Sequence, residues 1–208
     1  WVGMSKETAH QLGTPLSSLL AWIEHLKNIG VDESITNEMH QDIQRLNTIT
    51  ERFSKIGSQP TLQLINVNEV LSTSISYLKS RTSRNTIYEL QLPQENLYAH
   101  LSVPLFDWVI ENLCKNAIDA MDGKGTLTIK LIDIPEALYI DITDTGKGIP
   151  KYKFKTIFEP GFTTKQRGWG LGLSLCKRII ETYHQGKIRV LESTLNIGTT
   201  FRIELKRN

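Results

Sequence analysis

Two kinds of apolar spacing divide the chain. Val2, Ser5, Ala9, Leu12, Leu16, Leu19, Ile23 and Leu26 follow one another in alternating steps of three and four, with Ser5 the one polar member. That is a heptad seam, and it predicts a helix with one stripe buried against another helix. Gly30 ends this helix, and Asp32 or Ser34 is placed to cap the next. Ile35, Met39, Ile43, Leu46, Ile49, Phe53 and Ile56 stripe the second helix, which stops at Gly57-Ser58-Gln59-Pro60. Two helices with a short link predict an antiparallel hairpin over residues 1–58. A hairpin has too little core to stand alone, so pairing with a second copy into a four-helix bundle is the expected solution.

From residue 61 the pattern changes. Strand-like segments fall at 62–67, 86–92, 125–133, 137–143, 187–193 and 199–206, and helical ones at 68–82, 103–122 and 171–184. Residues 126–132 and 138–143 alternate in polarity across a turn that holds Pro135, which reads as a hairpin. Strands and helices mix without strict alternation. The expected fold is therefore two-domain α+β: the helical hairpin over 1–58, then an α/β sandwich over 61–208 with helices on one face of a mixed sheet.

Composition narrows the picture little. The 208 residues are 39% hydrophobic and 22% charged, with a net charge of +2, which argues for neither nucleic acid nor a membrane surface as partner. No apolar run approaches the roughly 20 residues of a membrane span, and no signal-peptide pattern opens the chain. Trp1-Val2-Gly3-Met4 begins inside a periodic pattern, which predicts a piece of a longer protein. Cys114 and Cys176 lie in apolar helical patterns and are expected to be buried free thiols, in keeping with a reducing, cytoplasmic setting.

Three groups of residues carry candidate chemistry. In the first helix, His10 and Thr14 are four apart and face away from the seam. Pro15 crowds the carbonyl of Gln11 and predicts a bend one turn beyond His10. A neutral imidazole there is a competent nucleophile; a solvated surface histidine is the plainer alternative. His25, His40, His100 and His184 have no such setting and read as surface or packing residues. In helix 103–122, Asn112 and Asn116 share a face and offer amide oxygens to a hard cation such as phosphate-bound Mg²⁺, or simply make that face polar. The third group is 144–172, where Asp144-Thr145-Gly146-Lys147-Gly148 and Gly168-Trp169-Gly170-Leu171-Gly172 bracket about twenty residues without clear period. Asp144 ends a strand and can accept from an exocyclic amine, or hold a turn. The glycines let a ligand approach the backbone. Gly170-Leu171-Gly172 opens a helix where an anion can sit. Phe158 and Phe162 place aromatics in this lid, and Lys165 and Arg167 offer cations to a triphosphate or to water.

Taken together, these residues resemble a sensor histidine kinase of two-component signalling, over nearly the whole chain. The ordered set is a histidine box at His10 to Pro15, an asparagine box at Asn112 to Asn116, Asp144-x-Gly146-x-Gly148, an aromatic box at Phe158 to Phe162, Gly168-x-Gly170-x-Gly172, and Gly198-Thr199-Thr200-Phe201 before the last strand. Residues 1–58 resemble the dimerisation and histidine phosphotransfer bundle. Residues 61–208 resemble the ATP-binding catalytic domain of the gyrase, Hsp-type chaperone, histidine kinase and MutL superfamily.

The resemblance implies the following roles. His10 takes the γ-phosphoryl group of ATP. Asn116 holds Mg²⁺, with Asn112 close to the phosphates or metal. Asp144 reads the adenine amino group, and Gly146, Gly148, Ile149, Phe158 and Thr200 belong to the nucleotide pocket. Gly168, Gly170, Leu171 and Gly172 hinge the lid and bring the helix start to the phosphates, and Lys115 and Lys165 contact them. The implied partners are a second copy, through 1–58, and the receiver domain of a response regulator, whose aspartate accepts the phosphoryl group; nucleic acid is not among them. The fragment would be cytoplasmic, in a full-length protein that the resemblance allows to be anchored in the inner membrane through a region absent here.

Four positions depart from the pattern. Gln11 stands where many relatives carry an acid, and an amide cannot act as a base; it is expected to orient His10 at most. Thr14 matches the position that places hydrolytic water in phosphatase-competent relatives, but without their acidic residue. Asp119 stands where many have lysine, which shifts phosphate neutralisation to Mg²⁺, Lys115 or Lys165. Trp169 replaces a small residue and either packs the lid or touches the base. The competing classes are an ATPase or clamp of the same superfamily and a catalytically silent nucleotide-binding dimerisation module. The clamps place a glutamate where this chain has Asn112, and Glu111 is about 100° around the helix from it.

Overall fold

The computed structural model describes residues 2–40, 42–43, 60–82, 85–165 and 170–207, with side chains described from Pro15 onward. The chain divides into two compact units, Trp1–Pro60 and Thr61–Asn208.

In the first unit, helix α1 (Val2–Asn28) runs through Pro15 without interruption in its assignment. It closes where Val31 N–H reaches back to Leu26 O and Gly30 N–H to Lys27 O, both at 3.1 Å. Asp32 is the cap of the second helix α2, described over 33–40 and again at 42–43. Its Oδ1 accepts from Ser34 N at 2.7 Å and from the Ser34 hydroxyl at 2.6 Å, and those bonds hold its carboxyl below the usual range. Leu16, Ile23 and Ile43 are buried together, with Leu20 packed on them. Leu19, expected on the same seam, is 44% exposed, as are Trp22 (61%), Ile35 (53%) and Met39 (39%). The remaining stripe at Leu46, Ile49, Phe53 and Ile56, and the stop at 57–59, lie outside the described residues.

The second unit is built on a five-stranded mixed sheet in the order β2-β4-β5-β7-β6, with a separate antiparallel pair β1-β3. The strands are β1 (Gln63–Asn66), β2 (Thr86–Gln91), β3 (Tyr98–Leu101), β4 (Gly125–Ile134), β5 (Ala137–Asp144), β6 (Lys187–Thr194) and β7 (Gly198–Lys206). Among the described residues, only β2 and β4 run parallel. The β4–β5 hairpin turns at Pro135-Glu136, since Ile134 pairs with Ala137. β3 has no counterpart in the sequence reading: four residues give too short an alternation to stand out.

Alternation sorts the sheet into two faces. Leu127, Ile129 and Leu131 of β4 lie on one face with Leu138, Ile140 and Ile142 of β5 and Phe201, Ile203 and Leu205 of β7, all buried. The opposite face carries Asp141, which Arg202 grips in a bidentate pair at 2.7 and 2.6 Å while stacking over Tyr139. Helices α3 (Val67–Arg81), α4 (Val103–Ala120) and α5 (Gly172–Arg178) complete the unit. α4 packs on β4 and β5 through an apolar stripe that includes Phe106, Val109, Ile110, Leu113 and Ala117. α5 continues as a π-helical segment, Ile179–Tyr183. Both the backbone N–H and the ring Nδ1 of the buried His184 bond to Ile179 O, at 3.1 and 2.9 Å. Its Nε2 accepts from Ser102 N–H at the head of α4 at 3.1 Å. Nδ1 therefore carries the proton, and burial pushes the ring's pKa down.

Candidate functional site

Asp144 ends β5 on the apolar face and is 3% exposed. Its Oδ1 accepts from Gly146 N–H at 2.8 Å. Burial pushes this carboxyl up, against the lowering effect of the Gly146 and Thr199 backbone N–H groups. A buried carboxylate of this kind is suited to accept from an amine that is itself held out of water.

The loop after Asp144 is pressed between α4 and the β6–β7 turn. Lys147 N–H bonds to Ala120 O at 3.0 Å, and a Cβ on Gly146 would lie 2.5 Å from that carbonyl oxygen. Gly148 adopts φ +73°, and a Cβ there would lie 2.3 Å from Thr194 O. Ile149 N–H donates to the Ser193 hydroxyl at 2.7 Å, and Asn196 N–H to Lys147 O at 2.9 Å. Ser193 and Asn196 thus clamp the loop from β6 and its turn, a role no sequence signal marks.

Thr200 does not join this group. β7 alternates, so Thr199 pairs with Asp144 while Thr200 pairs with Thr143 on the opposite face, hydroxyl to hydroxyl at 3.0 Å. Thr199, not Thr200, is the threonine beside Asp144, and counting alternation back from Phe201 would have found it. Phe158 is buried edge-on against Phe201, with centroids 6.2 Å apart.

One face of α4 gathers the rest. Asn112, Asn116 and Asp119 follow one another at steps of four and three. Asn112 Nδ2 donates to the buried Cys176 Sγ at 3.2 Å, which turns Oδ1 towards the start of α5; a Cβ on Gly172 would lie 2.7 Å from it. Asn116 Oδ1 accepts from the Lys165 ammonium at 2.9 Å, and the same ammonium bonds to Asp119 Oδ2 at 2.5 Å. An amide oxygen already facing a cation fits the hard oxygen donor that Mg²⁺ takes alongside phosphate and water. Lys115 is not part of this group: its ammonium pairs with Glu111 at 2.5 Å on the neighbouring stripe. Cys114 and Cys176 are both free and buried, with their thiols pushed up to about 12, so neither is a nucleophile here.

The lid is closed at its neck, where Gly161 N–H bonds to Gly170 O at 3.0 Å. A Cβ on Gly170 would lie 2.3 Å from Gly161 C. Leu171 caps α5, and its carbonyl accepts from Ser174 Oγ at 2.9 Å. Gly168 and Trp169 lie outside the described residues. His10, Gln11 and Thr14 sit on the described backbone of α1, and their side chains lie outside the description.

Residues 103–208 match the family described as Histidine kinase-, DNA gyrase B-, and HSP90-like ATPase. Sensor histidine kinase ZraS of Salmonella typhi is 31% identical over 205 residues, covering 95% of this chain and 44% of that protein. Among solved structures, the catalytic domain of histidine kinase ThkA is 31% identical with a TM-score of 0.64, covering 70% of this chain and 95% of that one. Histidine kinase ThkA in complex with response regulator protein TrrA gives a TM-score of 0.69 at 24% identity, covering 99% of this chain and 61% of that one. The chain spans less than half the length of the curated relatives it matches.

Proposed function

Since this chain belongs to the sensor histidine kinases, with a catalytic domain of the histidine kinase-, DNA gyrase B- and HSP90-like ATPase family, we propose that it phosphorylates itself on His10 from ATP and passes the phosphoryl group to an aspartate of a response regulator. The observation that carries this reading is the face of α4. There Asn112 and Asn116 meet Gly172 at the head of α5 and Lys165 from the lid.

Asp144 accepts from the adenine amine, beside Thr199, and Gly146 to Ile149 form the wall against which the base lies. Asn116 Oδ1 would hold Mg²⁺, which would supply charge neutralisation on the phosphates, and Asn112 presents its Oδ1 on the same face of α4. Lys165 contacts the phosphates, and Gly168 to Gly172 carry the lid. A His10 ring nitrogen attacks the γ-phosphorus. The N–P bond forms as the P–O bond to ADP breaks, ADP leaves with the electron pair, and the ring proton goes to water, because Gln11 cannot take it. The protein's contribution is positioning and charge, as phosphoryl transfer requires. In the reverse sense, Thr14 positions water for removal of the phosphoryl group from the partner.

Residues 1–58 act as the dimerisation unit, an antiparallel hairpin that pairs with a second copy. The exposed Leu19, Trp22, Ile35 and Met39 support this, since water contact with so much apolar surface is costly. Among the described residues no helix is long and apolar enough to cross a membrane.

The test is incubation with γ-labelled ATP and Mg²⁺, with His10→Ala alongside. Acid-labile, alkali-stable protein label that vanishes in the variant is the expected result. Steady phosphate release without protein label would instead mark an ATPase. Bound nucleotide with neither outcome would mark a silent module.

A further inference from the structure

The lid cation is held at two levels. Its neck is pinned by Gly161 N–H to Gly170 O. Within the loop, the Thr163 hydroxyl accepts from Lys165 N–H at 3.1 Å, a local turn that fixes where Lys165 leaves the backbone. The side chain then reaches α4, where its ammonium bonds to Asn116 Oδ1 and to Asp119 Oδ2 at 2.9 and 2.5 Å. An ammonium has three N–H donors and no acceptor. Two of them are taken by α4, and both partners lie on the asparagine face rather than on the stripe of Glu111 and Lys115.

We infer that Asp119 is a positioning residue for the lid: its carboxylate holds the Lys165 ammonium on the asparagine face of α4, so that an N–H not bonded to Asp119 is presented to the terminal phosphate of a bound nucleotide. This rests on the nucleotide reading above and deepens it. A lysine on a loop has four rotatable side-chain bonds, and ordering it on a ligand costs rotamer entropy. Where Asp119 has already ordered it, that cost is met before the nucleotide arrives. Asp119 supplies charge and direction to Lys165 and makes no contact with the nucleotide itself. The acidic residue is thus compatible with a phosphate site, because its charge is spent on an adjacent cation. The side chains are 46% and 56% exposed, so neither is needed to hold the fold.

The experiment is calorimetric titration of the full chain with ADP and with the non-hydrolysable triphosphate AMPPNP, in EDTA so that no metal contributes. The proteins are wild type, Asp119→Asn, Lys165→Ala and the double variant. An exposed ion pair sets the scale at about three- to fivefold. Asp119→Asn should weaken AMPPNP by that factor and leave ADP unchanged. Lys165→Ala should weaken AMPPNP at least as much. In the Lys165→Ala background Asp119→Asn should cause no further weakening, because the residue acts only through the lysine. A merely structural aspartate would weaken both nucleotides and do so in either background, which would overturn the proposal. So would unchanged or tighter AMPPNP binding by Asp119→Asn. Wild type that binds ADP normally while Asp119→Asn has no effect overturns this inference alone. If wild type binds only when Mg²⁺ is restored, the same four proteins are compared in Mg²⁺; wild type that binds neither nucleotide in EDTA or in Mg²⁺ overturns the nucleotide reading and this inference with it.

Discussion

Replacing Gly172 by alanine separates binding from folding. Gly172 is the first residue of α5, and its added Cβ would lie 2.7, 3.0 and 3.2 Å from Oδ1, Nδ2 and Cγ of Asn112. Ordinary contact needs about 3.5 Å, so the amide must retreat by roughly 0.5–0.8 Å. It cannot do so freely, because Nδ2 is bonded to Cys176 Sγ, which has no exposed surface. Overpacking of this kind costs about 1–3 kcal/mol. Against that, Gly→Ala in a helix gains up to about 1 kcal/mol, less in a first turn. The net effect on stability is therefore about 0–3 kcal/mol of destabilisation. Binding should suffer more: displacing an amide oxygen from a charged phosphate–metal group removes an interaction of about 1.5–3 kcal/mol, roughly a tenfold to hundredfold loss. The assay pairs urea denaturation with calorimetric titration of AMPPNP in Mg²⁺. Gly172→Ala should lower the urea midpoint by no more than about 1 M, leave the protein folded under assay conditions, and weaken nucleotide at least tenfold. Asn112→Ala should weaken it comparably, and the double variant should be no worse than Asn112→Ala alone. Unchanged affinity in Gly172→Ala would refute the placement of Asn112 at the nucleotide. A loss in the double variant equal to the sum of the singles would show that the alanine acts by another route.

Two further outcomes follow from the same geometry. Gly148→Ala forces a side chain into left-handed backbone and onto Thr194 O. It should cost stability as well as binding, by about 2–5 kcal/mol from the two causes together, read as a lower urea midpoint. His184 is neutral when folded, with its pKa lowered chiefly by burial. The native state then binds fewer protons than the unfolded one, so the stability it confers is present above the ordinary histidine value and lost as pH falls through the lowered one. The urea midpoint of wild type should fall between pH 7.5 and pH 5.5 by more than that of His184→Gln, whose amide oxygen can still accept from Ser102 N–H; equal falls would contradict this.

Much of the catalytic unit was legible because its elements are long and strongly patterned. β4, β5, β7 and α4 were placed to within two residues or so, and the glycine clusters marked where backbone comes close to backbone at Ala120, Thr194 and Gly161. What could not be read depends on three-dimensional neighbours. β3 is four residues long and exists through pairing with β1. Thr200 was assigned in place of Thr199 because the motif names both threonines; alternation back from Phe201 already puts Thr199 on the apolar face, and the register sets it beside Asp144. Lys115 and Lys165 looked equivalent as cations, yet an i, i+4 glutamate claims the first while loop geometry brings the second to Asn116. Cys176 read only as core, although its sulfur fixes the orientation of Asn112. In the N-terminal helix, a strict heptad placed Leu19 on the seam. Within one chain the buried stripe is Leu16 and Ile23 with Leu20 partly buried beside them, a helical face rather than a seam, and Leu19 is left 44% exposed.

In the proposed reaction the site around Asp144 and Asn116 delivers a phosphoryl group to His10. The most direct measurement is to locate that group. The chain is incubated with ATP and Mg²⁺, quenched and digested at alkaline pH where phosphohistidine survives, and the phosphopeptide is sequenced by tandem mass spectrometry, with Asp144→Asn treated identically. The account predicts phosphate on the imidazole of His10 in wild type and its loss when Asp144 can no longer hold the adenine. Phosphate on a hydroxyl residue or another histidine, or undiminished His10 phosphorylation in Asp144→Asn, would contradict it.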